Sequence, residues 1–329
     1  MHVFRGLPHP LLKRPSAIAI GNFDGVHTGH QALLESVVQA AGDRGLVPSV
    51  VTFEPHPREV LGGEPLPRIS TLLDKVDAIL ATGIERIYML PFSRRTAALS
   101  AEAFVEDILV DGLDTRWITV GEDFRFGSDR SGDVKALEAF GREHHFEVFA
   151  SPLLFHGDAK VSSTRIREAL ARGDLYEASL MLGRRYSMAG RVIHGAALGR
   201  TIGFPTLNIA PIPPGSTAKP AITGVFAVRI EGLGPAVRAG VASLGIKPTV
   251  TSEHRWLLET NVFDWKGNAY GKKIRVIFVE KLRDEKKFSG IDELRAAIES
   301  DALRARRILG CTPGEGIFSP EHEQTTESA

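Results

Sequence analysis

Cysteine is nearly absent. The one thiol, Cys311, cannot form an internal disulfide, which excludes a small disulfide-stapled scaffold. Near a polar end of the chain it reads as incidental rather than catalytic, and it suits a reducing compartment. Net charge is missing too: 40 Lys+Arg against 40 Asp+Glu leaves a formal charge of zero. No global field would then hold a polyanion, so a nucleic acid is not the expected main partner, although local sites for small anions stay open. No apolar run reaches the roughly 18 residues of a membrane span. The opening MHVFRGLPHPLLKRP lacks the apolar region and small-residue cleavage site of a secretory signal. The reading is a cytoplasmic protein with no membrane partner, and composition sets no oligomeric state. What is present, 43% hydrophobic and 24% charged residues over 329, excludes disorder, collagen and coiled coil and suggests two domains.

From Ser16 to about Arg172, apolar strand patterns alternate with helical ones. AIAI (17–20) precedes QALLESVVQAA (31–41), and SVVTF (49–53) precedes TLLDKVDAILAT (71–82). RIYML (86–90) precedes AEAFVEDIL (101–109), RWITV (116–120) precedes a helix near 133–145, and FEVFA (146–150) follows. This βα alternation predicts a parallel sheet covered by helices, a Rossmann-like α/β domain over residues 1–185. SSTRIREALARGD (162–174) reads as a helix with Ser163 or Thr164 as its cap and Gly173 at its C-cap. Beyond Arg185, glycine and proline punctuate strand-like runs: GVFAVRI (224–230), AGVASLGI (239–246), WLLETNVFDW (256–265) and KIRVIFVE (273–280). They predict an antiparallel β-barrel over 186–310. It ends in two helical patterns at 291–300 and 301–309, before a tail at 311–329 expected to be mobile.

GNFDGVHTGH (21–30) follows a predicted strand and opens a helix, where α/β sheets bind phosphates. Gly21, Gly25 and Gly29 would let backbone approach a ligand, and His27 and His30, three apart, share a helix face. Surface or core histidines are the plain alternative. A zinc site wants more ligands than the spacing offers. VSSTRIREAL (161–170) sets hydroxyls of Ser163 and Thr164 beside Arg165 and Arg167 at a helix start, a set that could meet a triphosphate or simply cap a surface helix. VGEDFRFGSDRSGD (120–133) carries Asp123, Phe124, Arg125 and Phe126 in a glycine-bounded loop, either a wall for a ring and a phosphate or a well-packed turn.

In the second half, GRVIHGAALGRTIGFPTLN (190–208) is glycine-rich but lacks GxxxxGK[ST], so it is not a P-loop. Thr206 and Asn208 are two apart at a strand start and offer hard oxygens suited to Mg²⁺, or serve as local caps. Glu259, inside WLLETNVF, shares a strand face with Leu257 and Asn261. It could accept a proton from an attacking hydroxyl, or it could pair with a basic residue on a solvent face.

Together GNFDGVHTGH, FEPHP (53–57), GEDFRFG (121–127) and SSTRIR (162–167) resemble the adenylyltransferase half of the prokaryotic bifunctional riboflavin kinase/FAD synthetases. GRVIHGAALGRTIGFPTLN, GVASLGIKPTV, LETNVFDWKGNAYGKKIRVIF and LRDEKKFSGIDEL resemble the kinase half, in the same order. The resemblance implies transfer of phosphoryl from ATP to riboflavin and of AMP from a second ATP to FMN. Mg²⁺ would serve both steps, with riboflavin, FMN, FAD and ATP as the molecules bound. It implies ATP contacts for adenylylation from Gly21, Asn22, Phe23, Asp24, His27, His30, Ser163, Thr164 and Arg165. Of these, His27, His30 and Arg165 would be catalytic, and Asp123 and Arg125 would meet FMN. In the kinase it implies ATP contacts from Gly190, Gly195, Gly199, Arg200, Thr206 and Asn208, with Thr206 and Asn208 on the metal. Glu259 would be the base, and Arg283 and Phe288 would border the flavin. Four positions depart from the family pattern: Phe226 for tyrosine, Ser243 and Leu244 where GVANIG is usual, and Asn261 for the histidine of ExH. Two rival readings stay open, a nucleotidyltransferase for another phosphate ester and a flavin-binding regulator.

Overall fold

The fold is taken from a computed structural model. It describes all residues except 63–65, 153, 158, 196–198, 200–201, 249–253 and 312–329. Arg200 and the tail expected to be mobile therefore lie outside the described residues. The chain divides into two compact units, one formed by 1–66, 75–165 and 216–218, the other by 67–74, 166–215 and the chain from 219 onward.

The first unit is built on six strands, β1 (His2–Arg5), β2 (Ser16–Ile20), β3 (Val47–Glu54), β4 (Arg86–Pro91), β5 (Thr115–Gly121) and β6 (Glu147–Ser151). They lie in the order β1-β4-β3-β2-β5-β6, every neighbouring pair parallel. Alternate residues of β2 serve opposite cores. Ala17 and Ala19 pack with Leu34, Val37 and Ile79, whereas Ile18 and Ile20 pack with Phe104, Leu109 and Leu137. Burial on both faces is why these strands read as continuous apolar runs. Strand β1, too short and too polar to announce itself, adds to the edge by pairing Val3 with Ile87. The chain leaves β2 toward β3 and β4, then crosses back to β5 on the other side of β2. The loops after β2 and β5 thus flank a topological switch point, where open α/β sheets bind ligands.

The second unit is the expected antiparallel barrel. Its strands are β7 (Ser187–Arg191), β8 (Leu207–Ile209), β9 (Gly224–Glu231), β10 (Arg238–Pro248), β11 (His254–Val262) and β12 (Lys273–Arg283), in the order β7-β12-β9-β10-β11-β8. An antiparallel bridge between Ile193 and Asn208 brings the two ends together. The stretch expected as two terminal helices is one helix, Ile291–Leu309. No glycine or proline interrupts it at residue 300, and Asp301 sits buried in its middle, accepting a two-pronged bond from Arg283 (2.7–3.2 Å). Ala305 and Leu309 of this helix close over Val225, Ala227 and Val241. Residues 67–74 belong to this unit because the buried Asp74 carboxylate accepts from the Thr71 hydroxyl (2.7 Å), the Ala189 amide (2.7 Å) and the Arg275 guanidinium.

Candidate functional site

The first candidate site is the loop from Gly21 to His30. Helix α1 (Thr28–Arg44) starts at the end of that loop with His27 as its cap, the Nδ1 atom accepting from the His30 amide at 3.2 Å. The two imidazoles stack with centroids 3.6 Å apart, and the Phe23 ring meets His30 edge-on at 5.1 Å. A Cβ on Gly29 would come within 3.3 Å of the His27 ring. This glycine therefore makes room for the protein's own imidazole, not only for a ligand. Phe23 and Val26 take left-handed backbone angles (φ 50° and 42°), costly for an aromatic and a β-branched residue. Both are almost wholly buried, so packing holds the loop in a conformation the local sequence disfavours.

Other segments are tied to this loop by named bonds. Thr52 of β3 donates to the Asn22 carbonyl (3.2 Å), and Ser163 donates to the Asp24 carbonyl (3.0 Å). Helix α2 (Ser163–Arg172) is capped by Ser162, which accepts from the Arg165 amide at 3.3 Å, and not by Ser163 or Thr164 as expected. Ser163 is free of the cap because its hydroxyl turns to the neighbouring loop. Arg165 donates to the carbonyls of Ala159 and Lys160 (3.0 and 3.2 Å), and Arg167 to that of Pro67 (2.7 Å). Asp123 pairs with Lys160 at 2.8 Å, and this ammonium holds its carboxyl below the usual carboxylate range. Arg125 pairs with Asp133 at 2.8 Å. The structure brings His27, His30, Asp24 and Ser163 together, and connects Asp123 to Arg165 through Lys160. It commits Arg125 to Asp133 on its own loop.

The second candidate site is a cavity of about 690 Å³ in the barrel unit. The antiparallel ladder sets three residues in one row: Asn208 of β8 opposite Glu259 of β11, and Glu259 opposite Ser243 of β10. Directly paired residues share a sheet face. Leu257, Glu259 and Asn261 all line the cavity, as period-two alternation requires, together with Gly199, Thr206, Arg283 and Phe288. Burial pushes the Glu259 carboxyl up from its ordinary value, against the opposing pull of Lys247 4.0 Å away. The Asn208 side chain is buried and its Oδ1 makes no hydrogen bond. A Cβ on Gly195 would overlap the Asn208 amide, one on Gly190 the Ile209 side chain, and one on Gly199 the Phe204 carbonyl. These glycines let their segment lie against its own strand. Arg283, pinned by Asp301, lies 5.6 Å over the Phe288 ring.

The departures from the family pattern now have places. Leu244 and Phe226 are core residues with no exposure, Asn261 donates to the Pro205 carbonyl (2.8 Å), and Ser243 donates to Glu285 (2.6 Å). Lys247 and Asp301 are cavity residues that sequence reasoning missed, whereas Glu285 falls in the Arg283–Phe288 segment expected to border the flavin. Glu285 stands inside the RDEKKF run, but nothing in that run says which of its charges turns inward.

Residues 10–165 match the FAD synthetase family and residues 182–309 the riboflavin kinase family. The bifunctional riboflavin kinase/FMN adenylyltransferase of Escherichia coli K12 is 39% identical over 95% of this chain and 99% of its own. The chain belongs to the bifunctional riboflavin kinase/FMN adenylyltransferase family. The protein of the same name from Pseudomonas fluorescens is 38% identical over 94% of this chain and 98% of its own. A solved structure described as a macrolide-efflux protein from Streptococcus pneumoniae matches with a TM-score of 0.70 and 29% identity, over 93% of this chain and 98% of that one. No described helix of the present chain is long and apolar enough to cross a membrane.

Proposed function

We propose that the barrel's Glu259 face transfers the γ-phosphoryl of ATP to riboflavin and that the His27/His30 loop transfers AMP from ATP to FMN. The two activities follow from family membership along nearly the whole chain; the residue roles are the present reading. Residues 1–185 are assigned to adenylylation and 186–310 to the kinase.

One observation carries the kinase assignment: a half-buried carboxylate in register with Asn208, on the wall of a cavity large enough for a flavin. Glu259 accepts the proton of the ribityl 5′-hydroxyl as that oxygen attacks the γ-phosphorus and ADP leaves. Burial favours this role, since a carboxylate lifted above its ordinary value is a stronger base. Mg²⁺ fits the donor set: the Asn208 Oδ1 is buried without a hydrogen bond, and Thr206, two residues earlier, lines the cavity with a hydroxyl to offer. When bound there, it would neutralise phosphate charge. Arg283 and Phe288 offer a cation and a ring face to the flavin.

In adenylylation no protein nucleophile is required. A phosphate oxygen of FMN attacks the α-phosphorus in line, and pyrophosphate leaves. His27, His30 and the start of α2 hold and neutralise the phosphates, so catalysis is positioning plus charge stabilisation. Asn22, Phe23 and Asp24 set the loop for ATP, while Asp123 is the FMN-side contact most open to solvent. The cytoplasm is the proposed compartment.

The direct experiment incubates protein with riboflavin, ATP and Mg²⁺ and resolves riboflavin, FMN and FAD over time. FMN appearing before FAD is the expected result. FMN with no FAD, in a protein that also fails on added FMN, would mean that the histidine site serves another acceptor.

A further inference from the structure

Lys247 stands between two carboxylates. Its Nζ lies 3.0 Å from the Glu285 Oε2 and 4.0 Å from the Glu259 Oε2. The first distance is a charge-assisted hydrogen bond and the second is outside that range. Glu285 is prepared for this role on its other side, where the Ser243 hydroxyl donates to its Oε1 at 2.6 Å. Ser243 is itself the register partner of Glu259, so the anchor is built on the strand next to the catalytic row. A Cβ on Gly245 would stand 2.9 Å from the Glu285 carboxylate, so a side chain there would push Glu285 from its observed position. Two other cations of the wall are engaged elsewhere: Arg283 with Asp301 at 2.7 Å, and Lys286 over Phe288 at 4.7 Å.

We propose that Glu285, oriented by Ser243, is a positioning residue for the kinase reaction, holding the Lys247 ammonium near Glu259 but off its oxygens. An ammonium bonded directly to Glu259 would occupy the lone pair that must receive the substrate proton. Held at 4.0 Å it instead adds positive charge beside the transferring phosphoryl without blocking the base. Ser243, which departs from the family's usual asparagine, then has a purpose: a hydroxyl short enough to leave Glu285 room and polar enough to fix it. The inference rests on the reading of Glu259 as the base.

Steady-state riboflavin phosphorylation tests it with four variants of the full chain: Glu285→Gln, Lys247→Met, the two combined, and Glu259→Gln. Glu285→Gln is expected to lower kcat roughly tenfold with little change in either KM, because the released ammonium settles on Glu259. The double variant is expected to regain part of that loss, since the competing cation is gone, but not all of it, since its charge beside the phosphoryl is gone too. An unchanged kcat in Glu285→Gln, a rise in riboflavin KM alone, or a double variant no faster than the single one would each overturn the proposal. Retained turnover in Glu259→Gln would instead overturn the base reading beneath it. Thermal unfolding and FAD formation from added FMN report folding. If Glu285→Gln is unfolded, Ser243→Ala carries the same test, with a smaller fall in kcat expected and an unchanged kcat overturning the proposal.

Discussion

The two candidate sites are built in opposite ways. The histidine loop is a backbone construction. His27 accepts from a main-chain amide, Ser163 and Arg165 donate to main-chain carbonyls, and two non-glycine residues hold left-handed angles. The barrel site is a register construction: Asn208, Glu259 and Ser243 are collected from three strands because the ladder pairs them. A loop site keeps its geometry only while the surrounding core forces it, whereas a register site inherits the rigidity of the sheet. The difference predicts where each site breaks.

The largest effect is expected from Glu259→Gln. Removing the proposed general base is expected to lower phosphorylation by about 10²–10⁴-fold, with FAD formation from added FMN unchanged. The same variant is expected to unfold at a higher temperature near neutral pH. The folded state holds the Glu259 pKa above its ordinary 4.5, so its ionisation disfavours folding as pH rises past that value, and glutamine has no such ionisation. Next is His30→Ala, which should cut FAD formation by roughly 10²–10³-fold while FMN formation persists. Equal loss of both activities in a folded variant would refute the division of labour. Asp301→Ala leaves a half-buried guanidinium without its partner and is expected to lower stability by about 2 kcal/mol in denaturant unfolding, less than for a fully buried pair. Gly195→Ala should raise the KM for ATP several-fold by displacing the Asn208 amide, a change that an ordinary loop glycine would not produce. The smallest effect belongs to Lys160→Met. Its exposed pair with Asp123 contributes stability that is present above the ordinary carboxylate value of 3.8 and lost as pH falls below it. The wild type and the variant should converge in unfolding temperature at low pH.

The segments that build both candidate sites stand out in the sequence. HxGH after a strand, SSTRIR at a helix start, and Glu259 on one face with Leu257 and Asn261 are local patterns, and local patterns follow from periodicity and capping. The misreadings have local causes as well. Ser162, Ser163 and Thr164 are chemically interchangeable as caps, and only the position of the Asp24 carbonyl chooses among them. The two helical patterns at 291–300 and 301–309 are one helix, in which Asp301 faces inward to Arg283 at the end of the preceding strand.

By itself the sequence determined that this protein has a doubly covered parallel sheet and an antiparallel barrel, since alternation and turn residues are properties of neighbouring residues, and its motifs taken together carried the family resemblance that implies two flavin-related transfers. Only the tertiary structure decided which groups those motifs meet. Ser162 became the cap, the glycines made room for His27 and Asn208, and Lys247 came to lie between Glu259 and Glu285. Lys247 and Glu285 lie 38 positions apart, and Ser163 and the Asp24 carbonyl that draws it from the cap lie 139 apart; strand register and loop packing are set by burial summed over a whole core rather than by any local pattern.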